Sequence, residues 1–188
     1  MLVAAEAVLV RDGWEALTMQ AIAAEAEMSV GGIYQRFPSK THLMRALKER
    51  AFAVIDARTS ALVTSQAHDL SAAVRQFVET RVLGAQRNQK ILRQLLIWNE
   101  GDPAAMERVG RSGANTLVVV ETMLAPFADE IAHPDPSLAI ETACYMLNAT
   151  LQRKLRNHTA DRPFKRMSWK ALSEELTAMI DGYLRGGR

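Results

Sequence analysis

Residues 18–50, TMQAIAAEAEMSVGGIYQRFPSKTHLMRALKER, hold two short helix signals separated by a break of a few residues. Thr18 is a natural N-cap, its hydroxyl free to accept an orphan backbone N–H, and Ile22, Ala23 and Ala26 follow at inward spacings. Met28-Ser29 breaks that run, and Ser29 supplies a fresh N-cap. The second signal, Val30 to Phe37, puts Ile33 and Phe37 at i and i+4 on the buried side, which turns Val30, Gly31, Gly32, Tyr34, Gln35 and Arg36 outward. Two consecutive glycines cost a helix about 1 kcal/mol each relative to alanine, so a helix that keeps them is built for close approach rather than for stability. A helix entering the major groove of DNA by its N-terminal end has that need. Small residues let the backbone near the base edges, Gln35 pairs with adenine or donates to a phosphate, and Tyr34, Arg36 and Lys40 reach phosphates on either side.

The set Gly13, Thr18, Ile22-Ala23, Ala26, Ser29, Gly31, Ile33-Tyr34, Phe37, Ser39-Lys40 and Leu43 resembles, in unbroken register, the N-terminal helix-turn-helix of the tetracycline-repressor (TetR) family of bacterial transcription regulators. The close resemblance covers roughly the first quarter of the 188 residues; beyond it, only length, helix order and apolar character agree. It implies an all-α protein of about nine helices: an N-terminal three-helix DNA-binding head and a larger C-terminal helical domain for ligand binding and dimerisation. The expected limits are 1–45 for the head, with the motif at about 18–37, and 46–188 for the larger domain. The DNA-contacting residues it implies are Thr18, Ser29, Val30, Gly31, Gly32, Tyr34, Gln35, Arg36 and Lys40.

Two departures stand out. Glu27 occupies the place where the family usually has a glycine to bend between the two helices, which predicts a strained non-glycine residue in the turn. The family also commonly carries a basic arm ahead of its first helix, whereas Leu2, Val3, Ala5, Val8 and Leu9 here begin an apolar helical run at once; either the arm is absent from the protein or the present chain lacks it, and its absence would cost some minor-groove or phosphate contact.

The formal net charge is only +2, which opposes a nonspecific nucleic-acid coat and makes the location of the charges the informative point. Between Val30 and Arg50, Arg36, Lys40, Arg45, Lys48 and Arg50 face the single acid Glu49, so the basic excess follows the reading helix. A second basic run, Arg153 to Lys170, reads as a solvated connection. The lone cysteine, Cys144, excludes an internal disulfide and sits in an apolar helix as a small hydrophobe. The initial apolar stretch is interrupted by Glu6, Arg11 and Asp12 without a cleavage-like pattern, and no uninterrupted apolar run is long enough for a bilayer, so a cytoplasmic location is expected.

Helical periodicity continues beyond the motif. A fourth helix starts at Pro38-Ser39-Lys40 and carries Leu43, Leu47, Val54 and Ile55 to about Ser65. A fifth runs from about Asp69 to Gln86, and a sixth from about Gln89 to Trp98. Asp102-Pro103 supplies an N-cap and first-turn proline for a seventh that reaches Phe127, with Gly110 and Gly113 as points of bending, of close approach or of mere tolerance. Asp135-Pro136 opens an eighth and Ser168 a ninth that ends near Leu184.

The eighth helix is apolar nearly all round, so it needs burial on two sides. One side meets the domain's own core, and the other fits the same helix of a second chain in an isologous four-helix contact, as the resemblance also implies. The residues expected at that homodimer interface are Ile140, Cys144, Leu147, Leu151, Leu172, Leu176, Met179 and Tyr183. The resemblance further implies a small-molecule pocket among the middle helices. Its candidate lining is Phe77, Leu95, Trp98, Met123, Phe127, Met146 and Leu147, with Asn99 or Asn148 as polar handles, for a mostly apolar or aromatic effector; the plain alternative for each is ordinary core packing.

No glycine-rich phosphate loop, paired metal-ligand motif or nucleophile elbow occurs, and His42, His68, His133 and His158 lack ligand spacing; His133 with Asp135 comes nearest and reads better as a polar loop. The expectation is therefore no enzyme, no catalytic residue, no metal and no cofactor, but a DNA-binding regulator, with repression as the default sign. The alternatives are control by a protein partner, activation, or a nucleoid role that the modest net charge opposes.

Overall fold

The computed structural model describes residues 1–64, 67–98, 102–156 and 167–186. Among these the chain is helical throughout: α1 (Leu2–Ala16), α2 (Met19–Glu25), α3 (Val30–Arg36), α4 (Lys40–Ser60), α5 (Leu70–Arg87), α6 (Gln89–Trp98), α7 (Pro103–Leu124), α8 (Pro136–Arg156) and α9 (Trp169–Leu184), with 3₁₀ turns at Ala61–Thr64 and Ala125–Glu130. The all-α architecture expected from the apolar periodicity is the one observed.

Two compact units interleave in sequence. The first joins Met1–Ala53 with Asn88–Val109, and the second joins Val54–Arg87 with Gly110–Arg188. The first unit packs α1 against α2 and α6, and α2 against α3. Its core contains Ala5, Val8 and Leu9 of α1, Met19 and Ile22 of α2, Ile33 of α3, Phe37 after it, Leu43, Met44 and Leu47 of α4, and Ile91 and Leu95 of α6. Thus α6, expected in the larger domain, builds the core of the smaller one, because its apolar stripe is covered there. In the second unit α5, α8 and α9 pack together around Phe77, Val78, Leu147, Leu172 and Leu176.

Several element ends have visible causes. Gly13 takes φ 84°, a left-handed backbone that breaks α1 before its last turn. The expected continuation of α7 to Phe127 gives way to a 3₁₀ turn after Leu124, because Pro126 lacks the N–H that an α-helix would require. The last residues assigned to the fourth helix likewise tighten into the 3₁₀ turn at Ala61–Thr64. A Cβ at Gly110 or Gly113 would meet nothing within 4 Å, so neither glycine serves a close approach among the described residues. No described helix is long and apolar enough to cross a membrane.

Candidate nucleic-acid interface

The helix-turn-helix is held by caps the sequence supplies. Thr18 Oγ1 accepts from Ala21 N at 3.0 Å at the start of α2, and Ser29 Oγ accepts from Gly32 N at 3.1 Å at the start of α3. Each cap contributes about 1 kcal/mol. Between them Met28 N donates to Ala23 O at 2.9 Å and Glu27 N to Ala24 O at 3.3 Å, the paired bonds of a Schellman stop. That motif demands a left-handed residue at its centre. Glu27 takes it, with φ 52°, and it is the one non-glycine residue with positive φ among those described.

Below the turn, α3 splits by face. Ile33 has no exposure, and Phe37 closes the same buried side. On the other side Gly31, Tyr34, Gln35 and Arg36 are exposed, with Ser29 and Thr18 also exposed and Val30 and Gly32 half-buried. A Cβ at Gly31 would meet nothing within 4 Å, and Gly31 is not in the left-handed region; at Gly32 it would meet Ser29 Oγ at 3.3 Å and Met28 Cε at 3.5 Å. Gly32 therefore has a partial internal reason in its tight contact with the cap, whereas neither backbone geometry nor packing among the described residues requires Gly31.

The cations behave differently from the charge count. Lys40 Nζ donates to Trp14 O at 2.8 Å and lies 3.7 Å from the centre of the Trp14 ring, and burial lowers its pKa. Arg45 makes a two-pronged contact with Asp102, Nε to Oδ2 at 2.8 Å and Nη2 to Oδ1 at 2.9 Å, and this pairing holds the Asp102 carboxyl below its ordinary range. Asp102 also caps α7 by accepting from Ala104 N at 3.1 Å. Lys48 is buried and donates to Ala105 O; burial pushes its ammonium down to about 8. Arg50 lies 3.6 Å from Glu6. Of the five cations between Val30 and Arg50, Arg36 is the one without an intramolecular partner among the described residues. The basic excess near the reading helix is thus mostly engaged inside the fold.

The remaining sequence-derived sites scatter. Leu95 belongs to the core of the first unit, while Phe77, Met123 and Leu147 are buried in the second. Met146 is 53% exposed on the outside of α8, which removes it from a pocket wall. Phe127 is half-buried in a 3₁₀ turn, the side chain of Trp98 lies outside the described set, and Asn99 lies outside the described residues altogether. Asn148 accepts from Arg81 Nη2 at 2.7 Å. A groove of about 260 Å³ between α5 and α9 is lined by Ser71, Arg75, Glu79, Ser173, Glu174, Thr177, Ala178 and Asp181, among which is none of the expected pocket residues.

The residues expected to face a second chain also divide. Ile140, Cys144, Leu147, Leu151, Leu172 and Leu176 are buried within the chain's own second unit and have no surface to offer a partner. Met179 is 64% exposed, and Tyr183 is half-buried with its ring 5.4 Å from that of His133. The exposed apolar side chains of α8 are instead Leu138, Tyr145 and Met146. A buried apolar helix face looks the same in sequence whether its cover comes from its own chain or another. His133 serves its loop, its Nδ1 donating to Asp135 O at 2.7 Å. Of the second basic run, Arg162, Lys165 and Arg166 lie outside the described residues.

A capped helix-turn-helix with a bare, glycine-bearing second helix, followed by a larger helical unit, defines a DNA-binding regulator. Residues 1–47 match the family described as bacterial regulatory proteins, tetR family, and residues 69–184 match the tetracyclin repressor-like C-terminal domain. The chain belongs to the TetR family, whose members are DNA-binding transcription regulators and not enzymes. Among curated proteins it is 43% identical over 53 residues to the HTH-type transcriptional repressor KstR of Mycobacterium tuberculosis, a match covering 28% of this chain and 24% of that protein. The match thus spans about a quarter of the length of that relative. Among solved structures, a TetR/AcrR-family regulator of Thermobifida fusca superposes with a TM-score of 0.74 at 16% identity, covering 100% of this chain and 96% of that one. The TetR-family regulator PfmR from Thermus thermophilus gives 0.62 at 21% identity, covering 100% and 98%. At these identities the structures establish the fold.

Proposed function

We propose that this chain is a cytoplasmic transcription repressor that binds a near-palindromic operator as a homodimer and is released by a small, mostly apolar effector. Residues 1–45 supply the DNA contact, and residues 46–188 the effector and dimer functions. The observation that carries the reading is Gly31: a helix-weakening residue at an exposed position where no contact among the described residues calls for it, beside exposed Tyr34, Gln35 and Arg36. The similarity of the head to KstR, named a repressor, supports the regulatory sign.

Dimerisation is supported by the outer faces of α8 and α9, where Leu138, Tyr145, Met146 and Met179 are exposed apolar side chains. Two heads related by a twofold axis read half-sites one turn of DNA apart or a multiple of it. Effector control acts through α4, which follows α3 after three residues and is tied to the start of α7 by Arg45–Asp102 and Lys48–Ala105. A hundredfold change in DNA affinity needs about 2.7 kcal/mol of differential effector binding between the two arrangements.

Selection from a random duplex pool by the purified full chain tests the reading. The expected product is an inverted repeat with half-site centres about 10 base pairs apart or a multiple of that. A pool that emerges without a preferred sequence removes it.

A further inference from the structure

The second unit contains a cation that its own neighbours leave incompletely matched. On α5, Val74, Phe77, Val78, Val82 and Ala85 form an inward apolar stripe, and Arg81 occupies the stripe position one turn after Phe77. Its Nη2 donates to Asn148 Oδ1 of α8 at 2.7 Å and its Nη1 to Thr59 Oγ1 of α4 at 3.3 Å. Its Nε is buried and makes no hydrogen bond among the described residues; the other such atom, Gln76 Oε1, is a neutral acceptor on the same helix. Buried donors are almost always satisfied, so an open N–H on a guanidinium needs an explanation.

The described groups around Arg81 do not neutralise it. Both atoms that accept from it are uncharged. Asp56, one turn before Thr59 on α4, accepts from Ser112 Oγ of α7 at 2.5 Å and supports the Arg81 charge only through space, without forming an ion pair with it. Cys144, one turn before Asn148 on α8, is a buried thiol pushed up to about 12 by burial, so it brings no negative charge. Burial itself acts against the guanidinium charge. Arginine presents its donors as a planar fork that matches an oxyanion two N–H groups at a time. Here the outer prongs are anchored on two helices by neutral acceptors, which fixes the fork and leaves its Nε side unmade.

We propose that Arg81 is the recognition point of the effector site, and that the effector is a small molecule with an apolar body and a single carboxylate, which accepts from Arg81 Nε. One guanidinium balances one negative charge, which favours a carboxylate over a doubly charged phosphate. The inference rests on the regulator reading above and specifies the chemistry of its effector.

The test uses the full chain and matched probe pairs: octanoate and octanamide, decanoate and decanamide, benzoate and benzamide. Melting-temperature shifts and calorimetric titration should show at least one carboxylate binding at least tenfold more tightly than its amide. In Arg81→Gln, shown folded by circular dichroism, that preference should vanish; should this variant not fold, Arg81→Lys, which keeps a cation without the fork, should lose at least tenfold in carboxylate affinity. In the unaltered chain the Arg81 Nε–H proton resonance should move downfield with the bound carboxylate and stay in place with its amide. Equal binding of acid and amide, no binding of any of the three acids, or an unmoved Nε–H resonance overturns the inference. Carboxylates that bind through Arg81 without releasing operator DNA keep the carboxylate site and remove its role as the effector site; release by the amides alone keeps the effector-control reading and overturns the inference.

Discussion

The outward face of α3 and the outward faces of α8 and α9 are both unfinished surfaces, but they are unfinished in opposite ways. On α3 the exposed positions are Gly31, Gln35 and Arg36, small or polar, with the one aromatic Tyr34. On α8 and α9 they include Leu138, Tyr145, Met146 and Met179, large and mostly apolar. The first set offers hydrogen bonds and room, which suits a hydrated, edge-patterned partner such as a DNA groove. The second offers area to remove from water, which suits another protein surface. The contrast teaches that exposure alone says only that something is missing, while the chemistry of the exposed atoms says what.

The contrast breaks most visibly at the apolar face. Placing charge there with Tyr145→Glu and Met179→Glu should leave the fold of the single chain intact, because both residues are exposed. It should abolish the dimer in analytical ultracentrifugation and cost at least 100-fold in operator affinity, about 2.7 kcal/mol. A double variant that stays dimeric would show that this face is not the interface. At the polar face, Gln35→Ala should cost about 1–3 kcal/mol on the preferred site and relax selection at one base position of each half-site, read by sequencing a selected pool. An unchanged site profile would exclude Gln35 as a base reader.

Smaller effects sharpen the comparison. Gly31→Ala should stabilise the chain by about 1 kcal/mol in chemical denaturation while weakening DNA binding about tenfold, a gain in one property set against a loss in the other. If both rise together, Gly31 is not a point of close approach. Glu27→Gly should relieve the left-handed strain and add about 0.5–1 kcal/mol of stability with little change in DNA affinity, since the side chain belongs to the turn and not to the reading face.

Much of this was legible in the chain. The caps Thr18 and Ser29, the buried pair Ile33 and Phe37, and the strain at Glu27 all follow from local rules, because each depends on residues within one or two helical turns. The head was legible for that reason. What covers each apolar face was not, because periodicity identifies a buried face without naming its cover: Leu95 is covered by the head, and Ile140 and Leu176 by the second unit. Charge counting failed for a related reason. Arg45, Lys48 and Lys40 have partners at Asp102, Ala105 and Trp14, separations in sequence that no local pattern reports. Arg81 belongs to no motif, and its one mark in the sequence is a cation at an inward position of the α5 stripe.

The engaged cations of the head carry a consequence for how such a protein searches a genome. Arg45 and Arg50 are answered by carboxylates of their own fold, Asp102 and Glu6, so these two add little long-range pull on the polyanion, while Lys40 and Lys48, held by carbonyl oxygens, keep their charge. Binding to stray duplex should then depend less steeply on potassium than it would with those two cations free.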